Sequence, residues 1–166
     1  PILDKEHSFW MDYRTRVTFN QNIDGTSSSS SSSSPPLLLS QFYSDENAPR
    51  PEEYSVDEEH NADALRLGTM QDGKIYSQLR AVAESGMDFS SRWFRVSSQL
   101  VTIDAKNVLP VDLNAILLRN EQLMQSWFED KDVWSGSVFS GSQAASKATQ
   151  YGTWASARQS SMMRLM

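Results

Sequence analysis

One carboxylate, Asp88, lies in the sequence among apolar and aromatic residues. Residues 83–94 read AESGMDFSSRWF, so Asp88 follows a Ser-Gly pair and directly precedes Phe89. A carboxylate shielded from water favours its protonated form, which is the form that a proton donor in catalysis needs. Ser85 and Asp88 also suit the start of a helix. Two roles are therefore open for Asp88, a helix cap and a general acid.

A second candidate site lies upstream, where Pro49 and Pro51 flank Arg50 and Glu52 follows. Proline fixes its own backbone and pushes the residue before it toward an extended conformation, so Arg50 is expected in a rigid, extended loop. An arginine and a carboxylate presented together by a rigid loop can bind hydroxyl groups of a ligand. The competing interpretation is an ordinary surface pair of Arg50 and Glu52.

The composition of the 166-residue chain excludes several classes of function. A net charge of −6 argues against a nucleic-acid or anionic-membrane surface. Cysteine is absent, which excludes disulfides and thiolate zinc sites. The two histidines, His7 and His60, lack the spacing of a helical metal motif, which argues against a histidine metal site and a Ser-His-Asp triad. No apolar run approaches the length of about 18 residues that a membrane-spanning helix needs.

Helical periodicity dominates the elements that must position these residues, and strand patterns are few. Apolar residues recur three and four positions apart most clearly between Leu113 and Trp127. Pro110 suits the first turn of that helix, and Ser55 to Glu58 have the spacing of a capping box. The predicted fold class is all-α, with helices at about residues 2–17, 55–67, 74–84, 110–127 and 143–165.

The same patterns assign side chains to core and solvent. The charge run at residues 57–59 is expected to be solvated in a first helical turn, where it complements the helix dipole. The carboxylates near the end of the long helix are likewise expected in solvent, namely Glu121, Glu129 and Asp130. One face of the first helix groups four apolar residues that are expected in the core, Phe9, Trp10, Tyr13 and Val17, although residues 15–19 can pass into a short extended segment. The helix at 74–84 is expected between turns at Gly73 and Gly86, with an inward face of Ile75, Leu79, Val82 and Ala83. The last helix is expected to turn one face inward, namely Ala144, Ala148, Tyr151, Ala155 and Met162.

A low-complexity segment at residues 26–36 contains Thr26, eight consecutive serines and two prolines. Such a segment is too polar to bury and too flexible to order at low cost, so it is expected to form a surface loop within one domain. The chain has no initiating methionine, and this indicates that it starts inside a longer protein.

Four stretches of the chain resemble consecutive landmarks of the trehalases. The resemblance covers about residues 3–129 apart from the serine-rich segment, and it extends more weakly through Tyr151, Ala155 and Arg158. The four stretches are Leu3–Glu6 with Phe9 and Trp10, Pro49–Glu52 with Tyr54, residues 83–94, and Leu109–Asn114.

The resemblance implies that residues 1–166 are part of a catalytic domain. The family hydrolyses α,α-trehalose to two glucose molecules with inversion, inside an (α/α)6 barrel of paired helices. By this resemblance Asp88 falls on the general acid, and Arg50 and Glu52 fall on sugar-binding residues beside the scissile bond. It implies trehalose as substrate and no metal or organic cofactor. Arg92 is expected to give structural support.

The chain also departs from the family pattern. Met87 stands where the family carries tryptophan, and residues 104–107 replace a Thr-Thr region. The upstream glycine-rich signature and the downstream segment with the general-base glutamate have no counterpart, and a fragment with so few helices cannot close a barrel without the rest of the polypeptide.

Two hypotheses follow from these departures. One is a piece of a trehalase that is active only within the full-length protein. The other is a truncated, non-catalytic paralogue that acts at most as a weak sugar-binding or interaction module. The location of the protein cannot be read from the sequence, and the resemblance favours a secreted or membrane-anchored enzyme.

Overall fold

The computed structural model describes residues 2–18, 37–96, 98–130, 132 and 139–165, so the serine-rich segment predicted at 26–36 lies outside the described residues. The chain divides into a first unit, Pro1–Ser40 with Leu109–Met166, and a second unit, Gln41–Val108. The helices are α1 Ile2–Phe9, α2 Tyr54–Arg66, α3 Lys74–Ser85, α4 Val111–Glu129 and α5 Gly141–Leu165. The chain also has two short strands, β1 Thr15–Thr18 and β2 Leu37–Ser40.

The all-α prediction is confirmed, because helices make up most of the described chain. The one sheet is a two-stranded antiparallel ribbon in the first unit, where Thr15 lies opposite Ser40 and Thr18 opposite Leu37. Within the described part of the chain, no helix is both long and apolar enough to cross a membrane.

The core of the first unit lies between α4 and α5. Ala144, Ala148 and Tyr151 are buried against Met124 and Phe128. The rings of Phe128 and Tyr151 stack with their centroids 5.9 Å apart. Small alanines at helical spacing let the two backbones approach closely, so the inward face predicted for α5 is confirmed. α4 begins at Val111, with Pro110 as the residue before it.

The expectation of one helix over residues 2–17 with an aromatic core face was wrong, whereas the short extended segment allowed from Thr15 onward is confirmed by β1. α1 ends at Phe9, continues as a π-helical turn over Trp10–Arg14, and passes into β1. Phe9 is 39% exposed and Tyr13 is 67% exposed, whereas His7 is the buried residue of α1. The β-branched residues of β1 favour the extended conformation, which explains the early end of the helix.

The polar face of α1 packs against α5. Asp4 accepts hydrogen bonds from Lys147 Nζ at 2.8 Å and from the Tyr151 hydroxyl at 2.7 Å. The imidazole of His7 stacks on Trp154 with a centroid distance of 4.6 Å. Buried polar groups with hydrogen-bonding partners can take the place of apolar contacts. For this reason Asp4 and His7 pack inward while Phe9 and Tyr13 remain exposed.

A buried ionic cluster corrects the expectation that Glu121 is solvated. Glu121 and Arg158 are both fully buried. Arg158 donates from Nε at 3.1 Å and from Nη2 at 2.9 Å to Glu121, and His7 Nε2 lies 3.1 Å from the same carboxylate. Arg158 neutralises the charge that would otherwise keep a glutamate in water.

Asn114 attaches β2 to the start of α4. Its side-chain oxygen accepts from the Ser40 amide at 2.8 Å, and its amide nitrogen donates to the carbonyls of Ser40 at 2.9 Å and Pro110 at 2.8 Å. Arg158 Nη1 donates to the same Asn114 oxygen at 2.8 Å. The end of β2, α4 and α5 are thereby joined by one hydrogen-bonded network in the first unit.

The second unit has its own apolar core. Ile75, Leu79 and Val82 of α3 face inward as predicted and pack with Trp93 and Ile103. α3 begins after Gly73 and ends before Gly86, and both glycines have positive φ, which fits the turns that were predicted at these positions. Single 3-10 turns connect the helices of this unit, at Pro51–Glu53, Ser91–Trp93, Leu100–Thr102 and Ala105–Asn107.

Candidate functional site

The candidate residues Asp88, Arg50 and Glu52 all lie in the second unit. Arg50 has φ −69° and ψ 133°, so the extended conformation predicted from its flanking prolines is confirmed. The loop is held from α3, because Arg80 donates to the carbonyls of Ala48 at 3.2 Å and Pro49 at 3.0 Å. A 3-10 turn then leads from Arg50 into α2.

Arg50 is buried and its partner is Asp57. Only 6% of its surface is exposed. Its guanidinium donates to the Asp57 carboxylate from Nη2 at 2.7 Å and from Nε at 3.0 Å, and its backbone amide donates to the same carboxylate at 2.8 Å. The interpretation of Arg50 and Glu52 as a surface pair was wrong, because no hydrogen bond or ion pair joins these two described residues.

Asp57 also corrects the expectation of a solvated charge run at 57–59. It is fully buried, whereas Glu58 and Glu59 are exposed. Burial alone favours the protonated acid, but hydrogen bonds from the Arg50 side chain and backbone hold the pKa of Asp57 below its ordinary value. The hydrogen bond to Asp57 in turn raises the pKa of Arg50. Asp57 is therefore a structural anion paired with a fixed cation.

The capping box predicted at the start of α2 does not form. The helix begins one residue earlier, at Tyr54, and its N-cap Glu53 makes no side-chain capping bond. A signal for the buried role of Asp57 was present in its spacing, since Asp57, Asn61 and Ala64 follow one another at helical intervals and all three are buried. The adjacent glutamates masked that pattern.

Glu52 lies in the 3-10 turn Pro51–Glu53, and its side chain is exposed. It has no hydrogen-bonding partner among the described residues. Glu52 lies two positions after Arg50 in the chain, and its negative charge acts with that of Asp57 to raise the pKa of Arg50. The turn thus presents an exposed carboxylate next to a buried, oriented arginine.

Asp88 stands on an exposed turn after α3. The turn runs from Met87 to Ser90, and the Ser90 amide donates to the Met87 carbonyl at 3.2 Å. In the part of the chain that the structure describes, the Asp88 carboxylate accepts no hydrogen bond. Met87 and Phe89 are each 42% exposed, so the expectation that apolar neighbours shield Asp88 was wrong for this chain. The apolar residues are close in sequence, but they do not enclose the carboxylate.

The helix-cap interpretation of Asp88 was also wrong. Ser85 belongs to the end of α3, where its hydroxyl accepts from the Met87 amide at 3.0 Å. The following 3-10 turn is capped by Ser90, whose hydroxyl accepts from the Arg92 amide at 3.5 Å. Asp88 therefore has no capping role among the described residues.

The buried side chain of Trp93 supports the Asp88 turn. It is almost fully buried, and its indole Nε1 donates to the Met87 carbonyl at 3.0 Å. Arg92 lies over the Trp93 ring, with its guanidinium carbon 5.6 Å from the centroid, in accordance with the supporting role expected of it.

Phe89 in the same turn has φ +57°, which a non-glycine residue adopts at a cost of about 1–2 kcal/mol. Strained backbone of this kind gathers at functional sites, where the surrounding structure holds it in place. The buried Trp93 and the Met87–Ser90 hydrogen bond provide that support here.

α2 connects the Arg50 loop with the Asp88 turn. Asp57 in its first turns holds Arg50. His60, one turn further along, places its ring 6.4 Å from the ring of Phe89, the residue after Asp88. Neither contact was predicted from the sequence, because each depends on which face of α2 is turned inward. α2 thus contacts both candidate elements, whose residues Arg50 and Asp88 are 38 positions apart in the chain.

Comparison with known proteins identifies the family. The Trehalase family profile matches residues 1–166. The chain is 38% identical over 122 residues, or 74% of its length, to a probable trehalase of Oryza sativa subsp. japonica. It is 35% identical over 150 residues, or 89% of its length, to a trehalase of Dictyostelium discoideum. It is 31% identical over all 166 residues to a periplasmic trehalase of Escherichia coli O8 (strain IAI1).

These matches cover 19%, 23% and 26% of the three relatives, so the chain spans about a fifth to a quarter of their length. The order of the landmark segments, the helical fold and the match along the whole sequence agree with one another. The chain belongs to the trehalase family.

Proposed function

We propose that this chain is part of a catalytic domain that hydrolyses α,α-trehalose to glucose with inversion of configuration. The observation that carries the proposal is the family match along all 166 residues, together with three trehalase-named relatives at 31–38% identity. Because the chain covers only part of those relatives, the activity is assigned to a full-length polypeptide that includes it.

Asp88 is the proposed general acid. In an inverting reaction the bond between the anomeric carbon and the glycosidic oxygen breaks as the acid gives its proton to that oxygen. Its exposed position on the Met87–Ser90 turn leaves the carboxyl accessible to a leaving group. The apolar surroundings that keep an acid protonated would come from substrate and from the remaining polypeptide, with Met87 and Phe89 as exposed contact surfaces.

Arg50 and Glu52 are the proposed sugar-binding residues. Arg50 offers hydrogen-bond donors from a fixed guanidinium, and Glu52 offers acceptors from an exposed carboxylate. Sugar hydroxyls both donate and accept, so this pair of residues can satisfy adjacent hydroxyls of one glucosyl unit.

The general base is proposed to come from outside residues 1–166. It must activate a water on the opposite face of the sugar, roughly 6.5–9.5 Å from the acid. The carboxylates Asp57 and Glu121 are each fully buried and ion-paired with an arginine, so neither is placed to activate a water. We therefore expect the isolated chain to release no measurable glucose from trehalose.

A chimera tests the proposal. Residues 1–166 would replace the matching segment of the Escherichia coli relative, which aligns over their full length. NMR of the earliest products should show equal α- and β-glucose, as inversion at one anomeric centre requires. Asp88→Asn should lower the rate about 10²–10⁴-fold, and Glu59→Gln, which changes an exposed carboxylate of α2, should leave it unchanged.

The non-catalytic alternative makes a different prediction. A folded chimera that binds trehalose in calorimetry but releases no glucose would favour a sugar-binding or interaction module, to which the replacement of the family tryptophan by Met87 could contribute. Full activity in the Asp88→Asn variant would instead reject Asp88 as the acid.

A secreted or membrane-anchored location remains a proposal for the full-length protein. It is supported by relatives that are named periplasmic in Escherichia coli and Salmonella typhi.

A further inference from the structure

Several carboxylates lie close to Arg50 in sequence, and in the described structure Asp57 is the one that binds it. Glu52 and Glu53 follow within three residues and their charges act on Arg50, but they form no hydrogen bond with it in the described structure. Asp57, seven residues along, accepts from the Arg50 backbone amide and from two guanidinium nitrogens. The choice of Asp57 leaves the carboxylate of Glu52 unpaired.

The two guanidinium donors that Asp57 accepts, Nε and Nη2, lie on the same edge of the Arg50 side chain. A guanidinium has five N–H donors in a planar fork. The remaining donors, on Nη1 and on the outer side of Nη2, have no partner among the described residues. One N–H bond of Nη1 and the outer N–H bond of Nη2 are parallel and form the second edge of the guanidinium. This geometry matches two acceptor oxygens in one plane, such as neighbouring hydroxyls of a sugar ring.

Contacts to the loop backbone and to Asp57 hold the Arg50 guanidinium, and with it the second edge, in place. The backbone of Arg50 is held between two prolines and by Arg80, which binds the carbonyls of Ala48 and Pro49. Asp57 is fully buried on α2 and holds Arg50 through three hydrogen bonds. A long, flexible side chain thus loses its rotamer freedom before any ligand binds.

We propose that Asp57 is a positioning residue for substrate binding, which orients Arg50 so that its Nη1–Nη2 edge meets adjacent hydroxyls of a glucosyl unit and Glu52 stays unpaired for the same sugar. This inference rests on the proposed function. In the absence of Asp57, the nearest carboxylate available to Arg50 is Glu52, and a pair between them removes both groups from the substrate.

Substitution of Asp57 in the chimera tests this role. Asp57→Asn keeps the size of the side chain but turns one acceptor into a donor that opposes the guanidinium. We expect KM for trehalose to rise roughly tenfold or more while kcat falls less, since ground-state contacts are the ones misplaced. Asp63→Asn is the matched control, because it removes a carboxylate of the same helix that pairs with Arg66 at the surface.

A hydroxyl-deletion panel separates positioning from simple structural support. Each monodeoxy-trehalose lacks one hydroxyl, and the analogue without a hydroxyl read by Arg50 should be a poorer substrate for the unsubstituted chimera. That preference should disappear in Asp57→Asn. It should also disappear in Arg50→Lys, which retains a charge for Asp57 but lacks the second edge. Arg50→Lys keeps the test decisive if Asp57→Asn does not fold.

The outcomes are distinct. Loss of the same hydroxyl preference in both variants supports the inference. A lower melting temperature with an unchanged hydroxyl preference shows that Asp57 only stabilises the fold, and it overturns the inference. A folded unsubstituted chimera with no activity on trehalose rejects the proposed function, and the inference falls with it. An active unsubstituted chimera whose Arg50→Lys variant keeps the normal preference rejects the inference and the sugar-binding role of Arg50, but leaves the proposed hydrolysis of trehalose standing.

Discussion

At the scale of single residues, the described structure stabilises its buried charges with arginines. Asp57 pairs with Arg50 in the second unit, and Glu121 pairs with Arg158 in the first unit. In each case several hydrogen bonds accompany the ion pair, which is the condition under which a charge can be buried without a large penalty. Such pairs are costly to break from one side, because the remaining partner keeps its charge in an apolar environment.

Arg158→Met should therefore destabilise the chimera strongly. It leaves Glu121 buried without its cation and removes donors from Asn114 and Ser40. A loss of about 3–5 kcal/mol in the free energy of unfolding is expected from breaking a buried pair in this way. Chemical denaturation followed by circular dichroism measures the change.

Arg66→Met is the matched control for Arg158→Met. It breaks an exposed pair with Asp63 three residues away, and such pairs contribute about 0–1 kcal/mol. Equal losses in the free energy of unfolding for the two variants would contradict the stabilising role of the buried Glu121–Arg158 pair.

At the scale of elements, local sequence signals predicted the ends of the helices better than they predicted which side of each helix is buried. α3 was predicted to within one residue, because Gly73 and Gly86 mark both of its ends. The inward face of α5 was predicted from its alanines and Tyr151. The faces of α1 and α2 were mis-assigned because polar residues on them are buried by partners elsewhere in the chain, as His7 is by Glu121, 114 positions away. Periodicity treats such residues as solvated, and a single sequence does not reveal their partners.

The candidate site shows the same limit. The residue types and the extended loop at Arg50 were read from the sequence, and the family resemblance named the roles. The pairing of Arg50 with Asp57, the exposure of Asp88 and the contact of His60 with Phe89 were not predicted. These features depend on the rotation of α2 and on the turn after α3, which local patterns do not determine.

The docking of α1 provides an element-scale prediction with a defined pH dependence. Burial favours protonated Asp4, but hydrogen bonds from Lys147 and Tyr151 hold the pKa of Asp4 below its ordinary value. A carboxylate whose pKa is lowered on folding stabilises the fold above its unfolded pKa, and this contribution is lost as the pH falls through the folded pKa. Asp4→Asn should therefore speed amide hydrogen exchange in residues 2–9 near pH 7, and the difference should vanish in acid, below the ordinary carboxyl pKa of about 3.9.

The control for Asp4→Asn is Glu6→Gln, which changes an exposed carboxylate of the same helix that has no hydrogen-bonding partner among the described residues. It should leave exchange in α1 unchanged. Because Asp4 and Lys147 are partly exposed, we expect an effect of only about 1 kcal/mol. An Asp4→Asn effect that persists in acid would show that its charge does not hold α1.

At the scale of the whole molecule, the chain leaves apolar surface uncovered. In the first unit, α1 and α4 form a groove lined by Leu3, Trp10, Leu123, Met124 and Trp127. Trp127 is 39% exposed and Leu3 is 49% exposed. A contiguous apolar groove of this kind is a site of association when nothing covers it. In these relatives about three quarters of the length or more lies outside the matched region, which is the natural source of a cover.

The isolated 166-residue chain should therefore self-associate. Sedimentation velocity should show a weight-average coefficient that rises with protein concentration, because burial of the groove removes apolar surface from water. Trp127→Glu should reduce the rise by placing a charge in the groove. Met163→Glu serves as the control, since Met163 on α5 is an exposed apolar residue, more exposed than Trp127, and is not among the groove residues. A monomer with a sharp, cooperative melt and a concentration-independent sedimentation coefficient would contradict this prediction.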